Sequence, residues 1–175
     1  MLPAMDLEDF LRPLYQDLDG VTRFDAVERV AAIARRLYAP RSAEDARAFE
    51  LLLLFHGLGR WLAKIGNLSR TTLAVGGLSE SELRQTAASI ESLGAPESDA
   101  ERAIAAAILI DKAGVRGLAE RLLRARREGQ SVADVVRAAL ADDERPEWLG
   151  AEAREWLETR RGRRRDFCRA ILEES

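Results

Sequence analysis

Leu51-Leu52-Leu53-Leu54-Phe55-His56-Gly57-Leu58-Gly59-Arg60 decides how this chain is read. Leu51 to Phe55 are apolar on every side of a helix, which in a soluble protein means a helix enclosed by other helices. The stretch predicts a buried central helix over 42–64. His56, the only histidine, lies one turn beyond Leu52 and Leu53 and one turn before Gly59. It is expected to face inward as a neutral imidazole with a hydrogen-bond partner. Gly57 and Gly59 each cost a helix interior about 1 kcal/mol relative to alanine. The helix is therefore expected to bend or loosen there, or to be approached closely by another backbone.

Outward from this stretch, apolar residues recur at three- and four-residue spacing and sustained alternation is absent, so the expected class is all-α. Five Ser or Thr residues precede an acid by three positions: Thr22/Asp25, Ser42/Asp45, Ser79/Glu82, Ser98/Glu101 and Ser131/Asp134. Each stands ahead of a periodic apolar run, as a capping box does. Helices are predicted over 6–19, 22–38, 42–64, 79–93, 98–112, 114–128, 131–141 and 147–173. Gly20, Pro40, Gly94-Ala95-Pro96 and Arg145-Pro146 punctuate them. The segment 66–78, with Thr71-Thr72 and Gly76-Gly77, reads as a loop over a pocket. A chain of 175 residues, 47% of them hydrophobic, predicts a compact single-domain bundle of about seven to eight helices over 1–175.

A formal net charge of −3 with 33% charged residues describes a mixed surface, not the basic field of a dedicated nucleic-acid binder. No long apolar stretch or signal peptide is read, so no membrane is expected. The single cysteine, Cys168, permits no internal disulfide and agrees with a reducing, cytoplasmic location. It reads as a small apolar residue of the last helix.

The central string resembles the signature of the HD superfamily of metal-dependent phosphohydrolases, an apolar run, His-Asp, an aliphatic residue, Gly, and Lys or Arg. Phe24-Asp25-Ala26-Val27-Glu28-Arg29-Val30-Ala31 is similar to the helix that opens with a metal-binding His in that superfamily. Asp111-Lys112-Ala113-Gly114-Val115-Arg116-Gly117-Leu118-Ala119 resembles a Gly-x-x-Gly stretch of one branch, and the last helix, with Phe167, Ile171 and Leu172, is similar too. The resemblance covers about 22–173 and implies an HD-like helical fold. It places the metal ligands, two His and two Asp, at Ala26, His56, Gly57 and Ala106, so only His56 survives. Such a site does not hold a divalent metal against water. The resemblance therefore implies a catalytically degenerate pseudoenzyme with no cofactor.

Several side chains are candidates for binding. Arg60, Lys64 and Arg70 could pair with a phosphate-bearing small molecule, with Asn67, Ser69, Thr71 and Thr72 adding polar contacts and His56 lining the pocket. Charges at a helix end, favouring its dipole, are the plainer account of the basic three. The expected role is a ligand-binding, regulatory or protein-interaction module. One alternative is a phosphohydrolase acting on a nucleotide or phosphate ester with a divalent metal on Asp25, His56 and Asp111, where His56 and Asp111 would be the catalytic residues. A second is nucleic-acid binding through Arg160, Arg161, Arg163, Arg164 and Arg165. Glu152, Glu155 and Glu158 nearby, and the lack of interleaved aromatic platforms, make a solvated face or protein contact the expected use, so nucleic acid is not an expected partner. Trp148 and Trp156 read as packing residues, or as a partner surface where both are exposed.

Overall fold

The computed structural model describes residues 6–16, 24–62 and 77–173. Among these all regular structure is helical: α1 Leu7–Gln16, α2 Phe24–Leu37, α3 Ala43–Phe55, the single turn α4 Gly59–Leu62, α5 Glu80–Ser92, α6 Asp99–Ala113, α7 Val115–Arg127, α8 Val132–Ala141 and α9 Ala151–Glu173. No helix among them is long and apolar enough to cross a membrane. The chain divides into two compact units, 1–104 and 105–175, the division falling inside α6.

In the first unit α3 packs on α2 and α5, α1 on α2, and α4 on α5. The all-round apolar run behaves as expected, since Leu51, Leu52, Leu53, Leu54 and Phe55 are all buried. Leu51, Leu54 and Phe55 join Leu11, Tyr15, Phe24, Val27, Leu58, Leu62, Leu78 and Leu83 in one cluster. In the second unit α7, α8 and α9 pack on one another. Leu118, Val136, Ala139 and Cys168 form their core, with Leu122 and Ile171 packed against it. Cys168 thus serves as apolar filler, and burial pushes its thiol up despite the nearby Arg164.

Two helix boundaries differ from expectation. The central helix does not run to residue 64. It ends at Phe55, turns through 56–58, and restarts as α4; residues 63–64 lie outside the described residues. The last helix starts at Ala151, not at 147; ahead of it Leu149 N–H closes a separate turn on the Pro146 carbonyl at 3.1 Å.

Capping boxes form at two of the four expected sites that lie within the described residues. At Ser79 the hydroxyl accepts from Glu82 N–H and the carboxylate takes Ser79 N–H at 2.8 Å. At Ser98 the same exchange runs through Glu101 at 3.0 and 3.2 Å. Ser42 caps Asp45 N–H at 3.1 Å, but the Asp45 carboxylate turns to Arg41 N–H and the Tyr38 hydroxyl. Ser131 makes no side-chain cap, and Asp134 pairs with Arg137 one turn on instead. Thr22 lies outside the described residues, and Asp25 pairs with Arg29 at 3.0 Å.

Gly114 and Gly117 have a local reason. Gly114 begins α7 in extended conformation, and α7 doubles back so tightly on the end of α6 that a Cβ on Gly117 would collide with the Lys112 carbonyl. Backbone cannot move aside as a flexible side chain can. Gly117→Ala should therefore lower stability by about 2 kcal/mol or more in urea titration. Glu101 offers a second test. Burial alone would raise its pKa, but hydrogen bonds from Ser98 and Glu97 N–H and from the Ser92 and Ser89 side chains outweigh burial and hold it down to about 2. Its contribution is present above the ordinary value of 4.5 and is lost as pH falls through about 2. Glu101→Gln should cost about 1–2 kcal/mol at neutral pH, a difference that closes in acid when the two unfolding midpoints are followed with pH.

Candidate functional site

The end of α3 is built by a residue from α1. Tyr15 is fully buried, and its hydroxyl donates to the Leu54 carbonyl at 2.7 Å and accepts from Gly57 N–H at 3.3 Å. One side chain thus serves a last-turn carbonyl and the N–H just beyond the helix, groups a helix end leaves without partners. Burial pushes the hydroxyl's pKa up, and the Gly57 N–H lowers it in part. The ring stands edge-on to Phe24 at 5.6 Å.

Gly57 is fitted to this ring. A Cβ there would lie 2.8 Å from Tyr15 Cε1 and 3.2 Å from its hydroxyl oxygen. A Cβ on Gly59 would lie 3.2 Å from Ile90 Cγ2. The expected close approach at these glycines is therefore made by side chains rather than backbone.

His56 does not sit inside a helix facing the core. It is the C-cap residue of α3, half-buried, with Nδ1 2.6 Å from the Leu53 carbonyl. A carbonyl only accepts, so the neutral ring carries its proton on Nδ1. The imidazole covers a carbonyl of the final turn, as polar side chains at helix C-termini do.

The other candidates are divided between the two units and the residues outside the description. Ala26 is half-buried on α2. Ala106 and Asp111 are buried on the part of α6 that belongs to the second unit, whereas Asp25 and His56 belong to the first. Arg60 lies in α4. Lys64, Asn67, Ser69, Arg70, Thr71 and Thr72, with most of the 66–78 loop, fall outside the described residues. Among the described residues no group of three or more His, Cys, Asp or Glu is placed to hold a metal ion.

The arginine run of α9 departs most from expectation. Arg160 and Arg163 are exposed, but Arg161 and Arg164 are each only 1% exposed. The non-helical segment 142–150 covers them. Arg164 reaches the Asp142 carboxylate and carbonyl, both at 3.1 Å, while Arg161 donates to the Glu144 carbonyl at 2.5 Å. Arg121 of α7 takes the same Asp142 carboxylate at 2.9 Å. Burial would raise the Asp142 pKa, but Arg121 and then Arg164 outweigh it and hold it below the usual carboxylate range. The run is therefore neither a solvated face nor a continuous phosphate-binding stripe. Trp148 and Trp156 are both half-buried.

Tyr15 and Asp142 were not singled out by the sequence. Leu54 is 39 residues from Tyr15, and Arg164 is 22 from Asp142, so neither partnership leaves a local pattern. The chain matches no family model, no curated protein and no solved structure.

Removing the Tyr15 hydroxyl strands the buried Leu54 carbonyl and takes a partner from the Gly57 N–H, and Tyr15→Phe should cost about 1–3 kcal/mol by chemical denaturation. Asp142→Asn would leave two buried guanidinium groups without their carboxylate, and about 3 kcal/mol or more should be lost. Because Asp142 is held below its ordinary 3.8, this contribution is present above that value and lost as pH falls through the lowered one. The wild-type advantage should shrink in acid-unfolding curves of the two proteins.

Proposed function

We propose that this chain is an HD-like helical module that has lost its metal centre and works by binding, as a regulatory or protein-interaction domain. The observation that carries this reading is the packing of Tyr15 on Gly57. By the resemblance, residue 57 is where a metal-binding carboxylate would stand, and here a buried aromatic ring fills the space a Cβ needs. The hydroxyl on that ring also completes the end of α3, so the ring cannot leave without uncovering the Leu54 carbonyl. Alanines at 26 and 106 provide no ligand in two further places. His56, with Nδ1 on its own helix, then acts as a capping residue. A reducing, cytoplasmic setting agrees with one cysteine used as core filler. A phosphate-bearing small molecule remains the ligand proposed for Arg60, Lys64, Asn67 and Arg70.

Protein purified without chelator should contain no stoichiometric manganese, magnesium, iron or zinc by elemental analysis. It should also turn over none of a panel of nucleotides and phosphomonoesters supplied with manganese or magnesium. One tightly bound ion per chain, or turnover abolished by His56→Ala, would replace this reading with a working phosphohydrolase.

A further inference from the structure

We infer that the acidic segment 142–144 is an internal pseudo-ligand of α9, occupying a site that an acidic, extended segment of a partner protein takes when this strap lifts. The inference rests on the interaction-module reading above and names the partner's chemistry.

The first observation is the form of the contact. Asp142 meets guanidinium groups through its carboxylate, and Asp142 and Glu144 meet them through main-chain carbonyls. Asp143 lies 3.1 Å from Arg145 and 3.8 Å from both Arg161 and Arg165. Carboxylate contacts read acidity, and carbonyl contacts read an extended backbone whatever its sequence. Together they describe recognition of an acidic peptide. A nucleic acid has phosphates for the guanidinium groups but no peptide carbonyls at that spacing.

The second observation is how the strap is held. Asp143, Glu144 and Arg145 are exposed; apolar residues return beyond them with Pro146 and Trp148, both half-buried, and Leu149, which is 3% exposed. The contacts of 142–145 with Arg121, Arg161, Arg164 and Arg165 are ionic and hydrogen-bonded. Arg161 Nε and Arg164 Nε are buried without a hydrogen-bond partner among the described residues, so the clasp falls short of its full donor capacity. The stretch 142–145 can thus lift without unpacking the Leu118, Val136, Ala139 and Cys168 core, to which it does not belong. A tethered strap competes at about millimolar effective concentration, which makes it autoinhibitory toward a partner in solution.

The test uses the full chain and a fluorescent peptide of residues 141–150, Ala-Asp-Asp-Glu-Arg-Pro-Glu-Trp-Leu-Gly, read by anisotropy. Asp143→Asn loosens the strap while keeping Asp142 and should bind the peptide about threefold tighter than wild type, the scale of exposed ion pairs. Asp142→Asn, where circular dichroism shows it folded, should gain about tenfold or more. Saturating peptide should also speed hydrogen exchange of the wild-type strap amides, a readout that needs no variant. Equal peptide affinity in wild type and Asp143→Asn, or unchanged strap exchange, overturns the inference. So does tighter binding of a single-stranded oligonucleotide than of the peptide. None of these outcomes touches the metal and turnover assays, so the inference can fail while the non-catalytic reading stands.

Discussion

A buried helix cannot stop wherever its sequence weakens, because its last carbonyls must find donors away from water. The Tyr15 hydroxyl meets that constraint at the end of α3, and much of the first unit follows from it. With the Leu54 carbonyl and Gly57 N–H both served, the chain can leave α3 at Phe55 and restart at Gly59. Two glycines within three residues make continuing the helix costly, and the tyrosine makes stopping it cheap. To place its hydroxyl the ring brings Cε1 within 2.8 Å of where a Cβ of residue 57 would stand, which favours glycine there. His56, pushed to the helix end by the same break, turns to the Leu53 carbonyl.

The second unit is organised by a charge instead of a neutral hydroxyl. Asp142 ends α8 and collects guanidinium groups from α7 and α9, so three helices meet at one carboxylate. An ion cluster of this kind adds little net stability over apolar packing, yet losing the carboxylate is expensive because Arg161 and Arg164 stay buried. The physical difference between the units is therefore their dependence on solution conditions. The Tyr15 bridge carries no charge, whereas the Asp142 cluster requires an ionised carboxylate and weakens in acid.

The fold was legible where it depends on local repetition. The apolar run from Leu51 to Phe55 announced a buried helix, and the Ser79/Glu82 and Ser98/Glu101 spacings marked helix starts, because these interactions join residues three or four apart. Ser131/Asp134 shows the limit of such a pattern: a nearby Arg137 competes for the same carboxylate, and the cap does not form. The α9 arginines show another. Alternating acids and arginines read as a solvated face, and only the fold brings 142–144 over Arg161 and Arg164. The site was least legible at Tyr15, since an aromatic residue on an amphipathic helix gives no sign that its hydroxyl caps a helix 39 residues away.

The glycines of the motif-like strings can be separated from its chemistry. Gly57 meets Tyr15, Gly59 meets Ile90, and Gly117 meets the Lys112 carbonyl. Each is held by a packing demand that makes no reference to a metal or a phosphate. Such positions persist as long as the helices cross as they do, whether or not a reaction takes place beside them. On the proposed HD-like reading, two ligand positions read Ala26 and Ala106, and alanine satisfies packing while supplying no donor. A string of this kind therefore testifies to how helices are joined. Evidence for catalysis has to come from the side chains that would touch reacting atoms, and glycines held by packing at Gly57, Gly59 and Gly117 are silent on that question.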